Sequence, residues 1–229
     1  INTYVCICGN STLRKSVLSA HKINLLRNEV GDKHLYDKLK AWFTNVNIED
    51  LSLKGKVKQE HLYRYDKEDT RKLKIALNYK LDSNNVKNFV DDNFANLLGS
   101  EQEWANKLYM SKDDLCSLPK NFEIVYHGTD HNLWSDLDDT QLEYELKPPA
   151  ELDFLFQQRY FLSIPFGMPG SWNNLKLLAR SKHVKGAFTM NRSLKHEYNI
   201  EKDFWWIHRY DQIDLFNKKI NLTIDNILL

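Results

Sequence analysis

Two pairs of polar residues stand in aromatic, strand-like stretches of the sequence. His208 and Asp211 lie in FWWIHRYDQIDLF, and Glu60 and Tyr65 lie in KQEHLYRYD, so that His208 follows Glu60 by 148 positions. A buried strand accommodates an imidazole and a carboxylate only with partners or a function, because unpaired polar groups are costly to bury. A carboxylate beside an imidazole can stabilise positive charge and transfer a proton near neutral pH. These four residues are the first candidates for a catalytic site.

This combination of a Glu-x4-Tyr and a distant His-x2-Asp resembles the PabI-like restriction enzymes, the restriction DNA glycosylases with the half-pipe fold. The resemblance implies an enzyme that flips adenine out of the palindrome 5′-GTAC-3′ in duplex DNA and hydrolyses its N-glycosidic bond. The abasic site is then cleaved by a slower elimination or by another enzyme. The resemblance also implies an α+β fold with a strongly curved, largely antiparallel sheet flanked by helices. It further implies a homodimer without metal or other cofactor, and a cognate DNA methyltransferase in a restriction-modification system.

The resemblance also assigns roles to individual residues. Asp211 is expected to stabilise the oxocarbenium-like sugar or to activate water, and His208 is expected to orient it. Tyr65 is expected to hold the extruded adenine or its sugar, and Glu60 to accept a hydrogen bond from an exocyclic amine. Arg27 is the arginine nearest to the position from which the family reads bases.

The charge pattern is compatible with a local surface for DNA. A formal net charge of +1 argues against a protein that binds polyanions over its whole surface. Two basic runs nevertheless carry interleaved aromatic or branched residues, which favours nucleic-acid binding. The residues predicted to contact phosphates are Lys56, Lys58, Arg64, Arg180, Lys182, Lys185 and Arg192. Double-stranded DNA is therefore the predicted partner.

A metal-dependent restriction endonuclease of the PD-(D/E)xK type is the first alternative. In TDHNLWSDLDDTQLEYELKPP, an aspartate precedes a predicted hairpin that ends in Glu-x-Lys. Asp130 and Glu145 would then hold Mg²⁺, and Lys147 would orient the attacking water.

An ADP-ribosyltransferase that consumes NAD is the second alternative. A strand followed by His-Gly, as in VYHGTD, and a later tyrosine is the way such enzymes hold nicotinamide, with a glutamate on a later strand. His127, Tyr160 and Glu197 are the residues available for these roles.

Composition sets the class of protein. The chain has 229 residues, of which 42% are hydrophobic, and 1–229 is predicted to form a single catalytic and DNA-binding domain. Its three cysteines have no metal-ligand spacing and predict a reducing, cytoplasmic location. No stretch approaches the roughly 18 apolar residues of a membrane span, so no membrane association is expected.

Hydrophobic periodicity predicts the elements that position these residues. The predicted helices are 12–30, 34–43, 83–107 and 173–182. The predicted strands are 3–8, 56–65, 71–81, 122–128, 142–147, 159–166, 185–191 and 204–216.

Overall fold

The computed structural model describes residues 3–43, 63, 65–81, 83–134, 137–167, 178, 181–189 and 204–208. The chain divides into two compact units. The first, called the sheet unit, contains Ile1–Leu13 and Met110–Leu229, and the second, called the helical unit, contains Arg14–Tyr109. The single catalytic domain over 1–229 stays a prediction.

The sheet unit is built on parallel strands. The strands are β1 (Thr3–Ile7), β2 (Phe122–Tyr126), β3 (Tyr160–Ser163), β4 (Val184–Thr189) and β5 (Trp205–His208). They lie side by side in the order β1-β2-β3-β4-β5, and every neighbouring pair is parallel. The predicted half-pipe, a strongly curved and largely antiparallel sheet, is therefore wrong. Parallel neighbours need long crossover connections, and the chain between these strands supplies them instead of tight hairpins.

The described helices are distributed over both units. In chain order they are α1 (Gly9–Thr12), α2 (Ser19–Val30), α3 (Asp32–Trp42), α4 (Glu68–Ile75), α5 (Ser83–Leu98), α6 (Glu101–Leu108), α7 (Lys112–Cys116) and α8 (Asp139–Leu146). A π-helical turn, Ala76–Lys80, continues α4. The predicted helix 34–43 is confirmed, whereas 12–30 is helical mainly from Ser19 and 83–107 divides at Gly99, whose φ is +80°.

Two predicted strands, 71–81 and 142–147, are helical instead. Asp138 begins α8 with a capping box, since its side chain accepts from the Gln141 backbone N–H and the Gln141 side chain accepts in return. Leu142, Glu145 and Leu146 are the buried residues of α8, and their spacing of three and four is that of one helix face. The capping box thus favours a helix in a segment whose apolar residues also alternate as they would in a strand.

One face of the sheet packs against α8. Tyr126 of β2 and Leu162 of β3 are fully buried together with Trp134, Leu142 and Leu146. Burying this apolar surface stabilises the unit and fixes α8 across the strands. As a result, α8 is held where Tyr144 and Glu145 can reach residues that follow β1 and β2.

The helical unit has a core of its own. Its apolar cluster is formed by residues of α2, α3, α4 and α5. The buried Lys22 lies 2.6 Å from Asp91 and 2.8 Å from Glu101, so its ammonium group is paired in the interior. Among the helices that the structure describes, none is long and apolar enough to cross a membrane.

Candidate functional site

Polar residues collect at the carboxyl edge of the parallel sheet. In a parallel sheet all strands end at one edge, so the residues that follow the strands are brought together there. The residues at or just after the described strand ends include Gly9, Asn10, His127, Gly128, Asp130, His131, Ser163, Phe166, Thr189 and His208. They belong to five strands that are neighbours in the sheet, so they form one candidate site, called the carboxyl-edge site.

Two glycines join the ends of β1 and β2. The Gly9 N–H donates to the Gly128 carbonyl and the Asn10 N–H donates to the Thr129 carbonyl, each at 3.0 Å. Gly128 has a φ of +86°, and a Cβ there would overlap Oε2 of Glu145. A Cβ at Gly9 would lie 2.8 Å from the Pro149 ring. The close approach of Pro149 to Gly9 and of Glu145 to Gly128 therefore requires glycine at both positions.

The loop after β2 is held by a buried carboxylate. Glu145, which is 1% exposed, accepts from the Thr129 N–H at 2.9 Å, the Asn132 side-chain amide at 2.8 Å and the Asp130 N–H at 3.2 Å. Burial, and then the neighbouring Asp130 carboxylate, raise the pKa of Glu145 to about 7, although the N–H donors oppose this. Glu145 therefore fixes the loop that carries the histidines and Asp130.

Asp130 presents an exposed carboxylate at the same edge. The side-chain amide of Asn10, which follows β1, donates to Asp130 Oδ1 at 2.6 Å. The Tyr144 hydroxyl lies 3.5 Å from the same amide nitrogen. The Asp130 carboxylate is thus oriented by Asn10, which follows β1, while it still faces solvent. Such a group can stabilise a positive charge that develops beside it.

His127 has a fixed tautomer when its ring is neutral. Its Nδ1 forms a short hydrogen bond with the Ser163 carbonyl, and because a carbonyl only accepts, Nδ1 carries the hydrogen. The lone pair then lies on Nε2, which is the arrangement of a general base or a metal ligand.

Three rings form a row beside these groups. The His127 and His131 ring centroids are 4.7 Å apart, and the His131 and Phe166 centroids are 4.9 Å apart. The three side chains are half-buried. Together with Asp130, they give the edge an aromatic part and an anionic part.

The residues predicted from the family resemblance lie in both units or outside the described part of the chain. His208 is the last residue of β5, paired with Thr189, so its backbone lies at the carboxyl edge. Tyr65 is 44% exposed in the helical unit, ahead of α4. Arg27 of α2 is paired with Asp32. The predicted residues that lie outside the described part of the chain are Lys56, Lys58, Glu60, Arg64, Arg180, Arg192, Glu197 and Asp211.

Two lysines of the second basic run lie at β4. Lys182 is exposed just before the strand, and Lys185 within it places its ammonium 4.3 Å from the centroid of the Phe161 ring. Lys185 is therefore engaged in a cation–π contact. Their contact with phosphates stays a prediction.

The metal-nuclease residues are neighbours, but in an arrangement that differs from the predicted one. Asp130 and Glu145 do meet, yet Glu145 lies on a helix and its oxygens already accept three N–H groups. Lys147 is exposed after α8. Within the described residues, no group of three or more histidine, cysteine, aspartate or glutamate side chains could hold a metal ion. The geometry assigns Glu145 to positioning the loop.

The residues proposed for an ADP-ribosyltransferase separate in the structure. Tyr160 is the first residue of β3, is buried, and donates to the Leu146 carbonyl at 2.7 Å. His127 follows the last residue of β2, beside Ser163 at the other end of β3. Tyr160 therefore belongs to the core, and His127 belongs to the carboxyl-edge site.

Asn10, His131 and Phe166 are among the residues of the site that were missed in the sequence. Asn10 could have been found, because Gly-Asn directly follows the first predicted strand. His131 and Phe166 carry no such signal, since their role depends on two loops that meet only in the folded sheet.

Comparisons with known proteins do not assign the chain to a family: no family model, no curated protein and no solved structure matches it. The resemblance to the PabI-like enzymes, apart from the half-pipe fold, stays a prediction.

Proposed function

We propose that the carboxyl-edge site breaks a glycosidic bond of a nucleotide or of a nucleotide-linked sugar, as a hydrolase or a transferase. One observation carries this proposal above the others. The loop after β2 presents Asp130, oriented by Asn10, within three residues of His127, whose Nε2 is the basic nitrogen. A carboxylate that stabilises a sugar cation and a base that takes the proton of the attacking water are two groups that glycosidic cleavage can use, and one loop carries both.

Asp130 and His127 have different roles in the reaction. As the bond at the anomeric carbon breaks, its electron pair leaves with the base or phosphate, and the sugar develops oxocarbenium-like charge. The Asp130 carboxylate stabilises that charge. Water or an acceptor hydroxyl attacks the same carbon, and its proton passes to His127 Nε2.

That the ligand is a nucleotide is inferred from the parallel sheet. Parallel α/β sheets commonly bind nucleotides at their carboxyl edge, which is an argument by analogy of fold. Neighbouring strands are about 4.8 Å apart, so the strand ends from β2 to β5 span about 14 Å. A site of that width accommodates a ligand with several groups in a row, such as a base, a sugar and a phosphate.

The test is a product assay on a panel of nucleotides and nucleotide sugars, with free base, free sugar and nucleotide measured by chromatography. His127→Gln and Asp130→Asn should each slow the reaction by about 10²- to 10⁴-fold. His183→Gln and Asp153→Asn, two exposed residues of the sheet unit away from this edge, are the matched controls. Equal rates for the site variants and the controls, with normal thermal unfolding, would remove both residues from catalysis.

The adenine-specific DNA glycosylase is a special case of this function. It is supported by the position of His208 at the carboxyl end of β5. Duplex containing GTAC, incubated in EDTA and analysed for free adenine, tests it. Adenine release that falls in His208→Ala and Asp211→Asn supports it, and the absence of adenine release while a nucleotide sugar is cleaved rejects it. The homodimer, the bound DNA and the companion methyltransferase are proposed only together with this case.

A further inference from the structure

Phe166 and His131 share an uncommon backbone conformation. Their φ angles are +56° and +60°, in the left-handed region, which histidine adopts more readily than a bulky apolar residue such as phenylalanine does. Phe166 lies in the loop after β3 and His131 in the loop after β2. The backbone at Phe166 is therefore in an unfavourable conformation at the point where the two rings meet, and such positions concentrate at binding sites.

Both loops are anchored on either side of the rings. After Phe166, the Gly167 N–H donates to the Ile164 carbonyl at 2.9 Å, and the buried Thr189 hydroxyl donates to the Gly167 carbonyl at 3.1 Å. Before His131, the loop is held by Glu145. The rings are thus fixed before any ligand arrives, which lowers the entropy that binding would cost.

The rings meet at an angle instead of stacking on each other. The planes of His131 and Phe166 differ by 61°, and those of His127 and His131 by 76°. Neighbouring rings therefore meet edge to face. A flat aromatic ring that stacks on the outer face of one ring can contact the edge of the next.

We propose that Phe166 and His131 form a stacking platform for the base of the nucleotide. The inference rests on the proposed function and adds the part of the ligand that the site recognises by stacking. Asp130 and Asn10 are polar and suit the sugar, whereas Phe166 offers an apolar face that suits a base. The platform accordingly distinguishes a nucleotide from a sugar phosphate that has no base.

The experiment measures dissociation constants for AMP, GMP, CMP and UMP, and for ribose 5-phosphate as the probe without a base. At least one nucleotide should bind tenfold or more tightly than ribose 5-phosphate. Stacking of one base typically contributes enough that Phe166→Leu should weaken that nucleotide by about 5- to 100-fold. Phe166→Tyr keeps the ring and should retain the affinity.

Matched variants separate stacking from a general loss of structure. Phe161→Leu removes a half-buried ring of the same unit that lies in β3, and it should leave nucleotide affinity unchanged. Ribose 5-phosphate affinity should be equal in the wild type and in Phe166→Leu, which shows that the rest of the site is intact.

Two results would overturn the platform. One is equal binding of nucleotides and ribose 5-phosphate, and the other is an unchanged nucleotide affinity in Phe166→Leu. Either result leaves the proposed function standing if His127→Gln still slows glycosidic cleavage in the product assay as expected. Loss of affinity in Phe166→Leu together with full cleavage activity in His127→Gln would instead reject the proposed function and keep the platform.

Discussion

Glu145 should make the stability of the fold depend on pH. Its pKa is raised from 4.5 to about 7 in the folded protein, chiefly by burial. A carboxyl group with a raised folded pKa stabilises the fold most at pH values below its unfolded pKa, and this stabilisation is lost as the pH rises through the folded pKa. The relevant window is therefore pH 4.5 to 8.

The expected change in the free energy of unfolding follows from the two pKa values. At 1.36 kcal/mol per pKa unit, their difference corresponds to about 3 kcal/mol. Glu145→Gln keeps the size of the side chain and does not titrate. The free energy of unfolding of the wild type, relative to that of Glu145→Gln, should therefore fall by about 3 kcal/mol between pH 4.5 and pH 8.

Urea denaturation of both proteins at a series of pH values measures this difference. Titrating groups that do not interact with Glu145 are common to the two proteins, so they cancel in the comparison. Glu143→Gln, an exposed position on the same helix, serves as the control and should run parallel to the wild type. Parallel curves for the wild type and Glu145→Gln would show that the effect of burial on the pKa of Glu145 does not exceed the opposing effect of the three N–H donors. That result would contradict the prediction.

Further predictions concern the glycine of the site loop and the buried lysine of the helical unit. Gly128→Ala should lower the free energy of unfolding by about 2–5 kcal/mol, because it adds an overlap with Glu145 to the backbone strain. Gly99→Ala, with a φ of +80° after α5 and no atom within 4 Å of the new Cβ, should lose only about 1–2 kcal/mol when both variants are measured by thermal unfolding. Equal losses in the two glycine variants would contradict the close approach of Glu145. Lys22→Met removes the ammonium group shared by Asp91 and Glu101, although Asp91 keeps its ion pair with Lys87, and should cost about 1–3 kcal/mol, while the exposed Lys33→Met should be close to neutral.

The sequence predicted several elements correctly but not how the strands pair. β1, β2 and α3 follow from hydrophobic runs and helical spacing that admit one interpretation. The segment 142–147 admits two, because Leu142, Tyr144 and Leu146 alternate as a strand while Leu142 and Leu146 also share a helix face. Interpreted as a strand, it predicts a hairpin after β2 and therefore an antiparallel sheet. As a capped helix it becomes a crossover, and β2 and β3 are parallel.

The candidate site could be predicted only in part for a related reason. Asp130, Glu145 and His127 were recognised as chemically capable, but they were divided between two hypotheses because no spacing in the sequence links them. Glu145 was expected to hold a metal ion, and its burial against backbone N–H groups, which no sequence pattern reports, gives it a positioning role instead. Asn10 lies 120 residues from Asp130 along the chain, and only the parallel pairing of β1 with β2 brings the two together.

The most direct test of the carboxyl-edge site is an NMR titration of the protein labelled at the histidine rings. The signals of His127, His131 and His183 are assigned with His→Gln variants, and the nucleotide that binds best is added stepwise. If the nucleotide binds at the carboxyl-edge site, the His127 and His131 ring signals should shift along a saturable curve, while the signal of His183, at the amino end of β4, should stay in place. Saturable binding that leaves the His127 and His131 signals unmoved would contradict this prediction.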